Sequence, residues 1–174
     1  LLTPPDASTL TILAYSPDAA DHIVNGDAHH RQYVSDALAA QTIPASVALK
    51  AQFQCWEAHS GNNLFVTVKV FLVSNDGVTV KETLLSITRD NVEVPLTLAN
   101  RAFTATSTGG AITVEDGDRL VVEVGLGGTP VATGGTQGHN GSISWGCNAS
   151  SGELPENDTE AGTTFRPWLE SAYT

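Results

Sequence analysis

Residues 119–126 carry the pattern that most constrains the fold of this chain. Every second residue there is apolar, and these residues share one face of an extended segment: Leu120, Val122, Val124 and Leu126. The opposite face carries the charged residues Arg119 and Glu123. Because successive side chains of a strand point to opposite faces, the pattern predicts a half-buried antiparallel strand. The Asp-Gly-Asp tripeptide at 116–118 predicts a tight turn into that strand.

The same alternation recurs along the chain. Residues 45–57, 64–73 and 78–87 alternate clearly, and the Asp76-Gly77 pair between the last two segments indicates a hairpin, because tight hairpin turns require positive φ angles. Weaker strand patterns follow at 101–107, 112–114, 142–147 and 163–170. Roughly eight or nine short strands at this spacing predict an all-β fold, an antiparallel and jelly-roll-like β-sandwich.

Residues 1–44 differ from this pattern. A strand is predicted near 9–15, but 16–32 has no clean period, and 36–40 predicts one helical turn before Pro44. The sequence therefore predicts two parts, an extended N-terminal arm over 1–44 and a β-sandwich domain over 45–174.

Charge excludes several classes of partner. The chain has 8 basic and 19 acidic residues in 174, for a net charge of −11. Its basic residues form no cluster, whereas nucleic-acid binding needs a concentrated Lys/Arg footprint. The same imbalance opposes docking on anionic lipid, and no segment approaches the ~20 apolar residues of a membrane span. We therefore expect no nucleic-acid partner and no membrane partner.

The sequence offers little catalytic chemistry. Its five histidines lack the i, i+4 and His-x-His spacings of metal sites, and neither a nucleophile elbow nor a phosphate loop is present. The acidic run at 115–118 predicts a capped turn. The run at 153–160 favours a solvated loop over a Ca²⁺ site. We expect no catalytic residue, no metal ligand and no bound cofactor.

Two cysteines leave two alternatives open. Cys55 shares parity with Phe53, and Cys147 shares parity with Ile143, so both side chains are predicted to face the core. They are either two buried thiols or an inter-sheet disulfide between Cys55 and Cys147.

Three blocks in this order resemble a group of β-sandwich proteins found in tailed bacteriophages and prophages. They are RQYVSDALAAQTI at 31–43, VSNDGVTVKETLL at 73–85 and GDRLVVEVG at 117–125, the last followed by LPENDTE at 154–160 and PWLE at 167–170. The resemblance covers roughly residues 30–170. It implies a virion structural protein without catalysis, most simply a capsid decoration (cement) protein assembled in the host cytoplasm. A tail-associated subunit is the nearest variant.

The resemblance also implies the partners, which are other virion proteins, either the major capsid protein or tail subunits. Two features support this expectation and predict a homo-oligomer: the aperiodic arm over 1–44, which a neighbouring subunit could order, and a partly apolar second face at Phe65, Phe71 and Val73.

The alternative is a carbohydrate-binding β-sandwich module or a tail-fibre-associated adhesin. Trp56 and Trp168 are then the candidate stacking platforms for a glycan. The alternation of side chains predicts that Trp145 faces the core and that Trp56 lies on the polar face with Gln52 and Gln54. The glycan-binding alternative therefore depends on few exposed aromatic rings.

Overall fold

The computed structural model describes residues 11–15, 26–58, 60–128, 141–145, 154, 156 and 168–171. These residues contain no helix, and they form eleven strands: β1 (Thr11–Tyr15), β2 (Gly26–Val34), β3 (Gln41–Ile43), β4 (Ala48–Glu57), β5 (Leu64–Val73), β6 (Val80–Arg89), β7 (Ala99–Thr106), β8 (Ile112–Val114), β9 (Arg119–Gly128), β10 (Gly141–Trp145) and β11 (Trp168–Ser171).

Two antiparallel sheets make up the fold. In the first, sheet A, β4 is central and pairs with β7 along one edge; β10 and β11 follow one another along its other edge, and β1 pairs outside β10. The second, sheet B, has the order β2-β9-β5-β6. A short pair, β3 and β8, lies apart from both.

The core lies between the sheets and is built by the alternating apolar residues. Sheet A contributes the buried set Leu49, Ala51, Phe53 and Cys55, and sheet B contributes Val66, Val68, Val122, Val124 and Leu126. Full burial of a Val, Leu or Phe side chain stabilises a fold by roughly 1.5–3 kcal/mol. The predicted all-β antiparallel sandwich is therefore confirmed, together with the inward faces of its strongest strands.

The segment predicted as an N-terminal arm contributes strands to the fold. Its described parts pair within the molecule, β1 with β10, β2 with β9 and β3 with β8. The register of β2 shifts between His29 and Arg31, as at a β-bulge. A bulge inserts an extra residue and so breaks the two-residue alternation of side chains along β2. For this reason no alternating pattern marks β2 in the sequence.

The helical turn predicted at 36–40 is wrong. Leu38 instead takes an irregular backbone tied to the next turn: its N–H donates to the carbonyl oxygen of Asp118 at 2.8 Å, and its own carbonyl oxygen accepts from Gly117 N–H at 2.9 Å. These bonds hold the segment against one end of the sandwich.

Both predicted turns form at that same end. Asp76 accepts the N–H groups of Val78 and Thr79 at 2.8 and 3.1 Å, which fixes the hairpin between β5 and β6. The hydroxyl of Ser74 and these backbone groups hold the pKa of Asp76 well below its usual range. Gly77 has the positive φ, 72°, that the turn requires.

The second turn, at 115–118, is capped by its own acid, as the sequence predicts. Asp118 is buried and accepts Glu115 N–H at 2.8 Å. Lys81 crosses from β6 and donates to Asp118 at 2.7 Å and to Glu115 at 2.8 Å. The Lys81 ammonium lowers the pKa of Asp118, and the two acids raise the pKa of Lys81.

Candidate functional site

The structure describes one of the two cysteines in the predicted pair. Cys55 of β4 is fully buried between the sheets, opposite Ile143 of β10 and Ala99 of β7. Cys147 lies outside the described residues, so the disulfide stays a prediction. Thiol titration of the denatured, non-reduced chain decides between the alternatives: two titratable thiols indicate free cysteines, and none indicates the disulfide.

The two tryptophans predicted as glycan platforms lie on the outer face of sheet A. Trp168 of β11 is only 4% exposed, and its indole N–H donates to the carbonyl oxygen of Leu154 at 2.6 Å. A stacking platform needs an open ring face, which Trp168 does not offer. Trp56 of β4 is half-buried and lies opposite Ser142 of β10. The side chain of Trp145 lies outside what the structure describes.

The outer face of sheet A is covered. Gln52 and Gln54 point away from the core, as their parity predicts, yet they are 3% and 0% exposed. Part of the cover comes from the acidic run: Leu154 is buried against Trp168, and Glu156 lies 3.4 Å from Lys50 Nζ. Outward parity therefore does not mean contact with solvent on this sheet.

A buried carboxyl lies at the far end of β4, and the sequence analysis missed it. Glu57 is 1% exposed and accepts Leu64 N–H at 3.1 Å. Burial raises its pKa to about 7, and the neighbouring carboxyl of Glu93 adds to the rise. Such a pKa suits a general acid or base. A carboxyl closed to solvent cannot reach a substrate, however, so the raised pKa of Glu57 instead makes the stability of the fold depend on pH. The inward parity of position 57, two residues after Cys55, was the available signal.

The outer face of sheet B carries a second apolar group, outside the core. Phe71, Val73 and Val121 cluster there on β5 and β9 and are nearly fully buried. The register places Val34 of β2 opposite Val121 and Val80 of β6 opposite Val73. Val34 is 54% exposed and Val80 is 56% exposed. These five residues, the apolar strip, cross all four strands and end in exposed side chains on both outer strands.

The border of the apolar strip is mixed in charge. Lys69 Nζ lies 4.7 Å from the centre of the Phe71 ring and 3.3 Å from Glu123 Oε2, whose carboxylate offsets the lysine charge. Arg119 of β9 donates from Nη1 to the backbone carbonyl of Ser35 at 2.8 Å. The strip is therefore an apolar surface with a polar border of both charge signs.

The sequence predicts a partly apolar face at Phe65, Phe71 and Val73. Phe71 and Val73 lie in the apolar strip. Phe65 is half-buried further along β5, with the Arg89 guanidinium 5.8 Å from its ring centre. Nothing in the sequence marks Val34, Val80 and Val121 as members of the strip, because membership depends on which strands become neighbours.

Comparison of the sequence with protein-family models gives no match, and comparison with curated proteins also gives none. In the described part of the chain, no three His, Cys, Asp or Glu side chains converge as metal ligands. The described residues also include no helix long and apolar enough to cross a bilayer.

Proposed function

We propose that this chain is a non-enzymatic structural protein of a bacteriophage virion, a decoration protein of the capsid that acts as a homo-oligomer. The apolar strip, which ends in the exposed side chains of Val34 and Val80, supports association between copies, and the resemblance of the three sequence blocks to phage β-sandwich proteins supports the virion role. In this proposal a second copy of the chain covers the strip, and the oligomer binds the major capsid protein.

The energetics of the strip fit repeated weak contacts. Val34 and Val80 are each about half exposed, so covering both buries about as much apolar surface as one whole valine side chain. Such burial is worth about 2 kcal/mol per copy. The two valines therefore supply only part of a homo-oligomer interface, since stable interfaces bury on the order of 800 Å² per partner, and in this proposal the surrounding outer face of sheet B supplies the remainder. On a capsid, many identical contacts act together, and avidity multiplies a modest contact.

The fold supports the same role. All its described regular structure is antiparallel strand, and β7 and the β10–β11 pair cover both edges of the central strand β4. In this proposal, association depends on side chains of the outer face of sheet B.

Light scattering of two charge variants tests the proposal. The double variant Val34→Glu/Val80→Glu adds two negative charges at the ends of the strip. The matched control, Val92→Glu/Leu96→Glu, changes two apolar residues of similar exposure, 47% and 54%, in the connection between β6 and β7.

We expect the wild-type chain and the control to form the same oligomer and to co-sediment with phage capsid shells. We expect the strip variant to be monomeric, with an unchanged melting temperature. A wild-type chain that is monomeric and binds no shell would overturn the proposal, and so would a strip variant that still assembles.

A carbohydrate-binding module is the second candidate, and one observation favours it. Trp56 retains a partly open side chain on the outer face of sheet A, beside Gln54. A glycan that binds the wild-type chain but not Trp56→Ala, with the oligomer unchanged, would favour this role over the first.

A further inference from the structure

We propose that a cavity between the two sheets binds a small uncharged molecule with an apolar body and one hydrogen-bonding end. This inter-sheet cavity has a volume of about 390 Å³ and opens at the end of the sandwich where Leu38 lies. It is separate from the apolar strip, which lies on the outside of sheet B. The inference is also independent of the proposed function.

The size of the inter-sheet cavity is the first argument. Protein interiors pack as densely as organic crystals, and voids larger than a water molecule are few. An engineered apolar cavity of about 150 Å³ already binds benzene. At about 390 Å³, the inter-sheet cavity falls within the range of ligand pockets, roughly 300–1,000 Å³. The cavity opens to solvent at the Leu38 end, so a ligand can reach it from outside.

The walls define the body of the ligand. Sheet A contributes Leu49 of β4 and Leu169 of β11, and sheet B contributes Val70 of β5 and Leu84 of β6. All four side chains belong to the main core and are nearly fully buried, so they form the floor of the cavity, and the partly exposed Leu38 and Leu120 line its open part. Because the floor and these two leucines offer no charged group, the part of the ligand that lies against them must be apolar.

The mouth defines the polar end of the ligand. Gln41 and Ser171 supply an amide and a hydroxyl there, and Asp36 supplies the only charge among the lining residues that the structure describes. An amide or hydroxyl can bond a ligand hydroxyl or carbonyl. An anionic head would meet Asp36 and a chain of net charge −11, so a fatty-acid carboxylate is disfavoured.

The mouth is preformed on one side. Leu38 is fixed there by its two backbone hydrogen bonds to the 117–118 turn, at 2.8 and 2.9 Å. Ser35, which also lines the mouth, accepts Leu120 N–H at its Oγ at 3.0 Å. A site whose rim is already ordered loses little conformational entropy on binding.

Fluorescence titration with N-phenyl-1-naphthylamine, an uncharged apolar probe, tests the proposal. Competition at pH 8 then compares 1-decanol with decanoate, both below their micelle thresholds. Val70→Phe fills the cavity from β5, and Gln41→Trp narrows the mouth from an exposed position. Val92→Phe, an exposed residue outside the cavity, is the control.

We expect saturable binding of the probe, displacement by decanol at least tenfold more effective than by decanoate, and at least tenfold weaker binding in either cavity variant. The control should bind as the wild-type chain does. No saturable binding, equal displacement by decanoate, or unchanged binding in Gln41→Trp would overturn the proposal. Gln41→Trp keeps the test decisive if Val70→Phe fails to fold.

Discussion

Replacing Glu57 by glutamine should remove most of the pH dependence of stability between mild acid and neutral pH. Burial raises the pKa of Glu57 from 4.5 to about 7, so the folded chain holds a proton that the unfolded chain releases. The stabilising contribution of this proton is complete below pH 4.5 and is lost as the pH rises through about 7. The wild-type chain should therefore be more stable at pH 5 than at pH 8.

The structure sets the size of the effect. A rise in pKa from 4.5 to about 7 corresponds to about 3 kcal/mol, at roughly 1.36 kcal/mol for each pH unit. Glu57 is closed to solvent, but its partner Glu93 is exposed. Solvent screening on that side reduces the expected difference to the order of 2 kcal/mol. For a domain of this length, that is roughly 4–8 °C in melting temperature.

Thermal and urea unfolding from pH 5 to pH 8 measure the effect. Glu57→Gln keeps the shape and an acceptor for Leu64 N–H, so it should match the wild-type chain at pH 5 and exceed its stability at pH 8. Glu93→Gln should shift the wild-type transition to lower pH. Glu82→Gln, at an exposed position on β6, is the control for lost charge. If Glu57→Gln shows the same pH dependence as the wild-type chain, the reasoning about burial is wrong.

Two further changes test the turns that close the Leu38 end. Gly117 has φ +91°, and an added Cβ would lie 2.9 Å from Cγ of Asn75. Gly117→Ala should therefore lower the free energy of unfolding by about 1–3 kcal/mol in thermal unfolding. The control, Gly110→Ala, places its Cβ in open space and should be near neutral. Lys81 holds the pKa of Asp118 below 3.8, so the stability from this pair should be lost as the pH falls through the acid range. Asp118→Asn should remove that part of the acid sensitivity in urea unfolding between pH 2 and pH 5, and an unchanged loss of stability over that range would contradict the assignment.

Local alternation was sufficient to predict the strands that build the core. The apolar positions of β4, β5 and β9 recur every second residue, and their burial between the sheets follows from strand geometry alone. Asp76-Gly77 likewise marks the β5–β6 hairpin, because the turn chemistry lies in adjacent residues.

Long-range contacts account for what the sequence could not show. The parity of Gln52 predicts contact with solvent, but Gln52 is buried because Trp168 lies opposite it on the neighbouring strand, and the carbonyl oxygen of Leu154 accepts the indole N–H of Trp168. Nothing near Gln52 in the chain signals that cover. The apolar strip has the same origin, since Val34 and Val121 become neighbours only when β2 pairs with β9.

Electron cryo-microscopy of the proposed phage particles tests the central proposal most directly. We expect density for the β-sandwich on the outside of the capsid, in several copies. The apolar strip, ending at Val34 and Val80, should lie against a neighbouring copy. Particles that lack the chain, or density in which the outer face of sheet B is open to solvent, would contradict it.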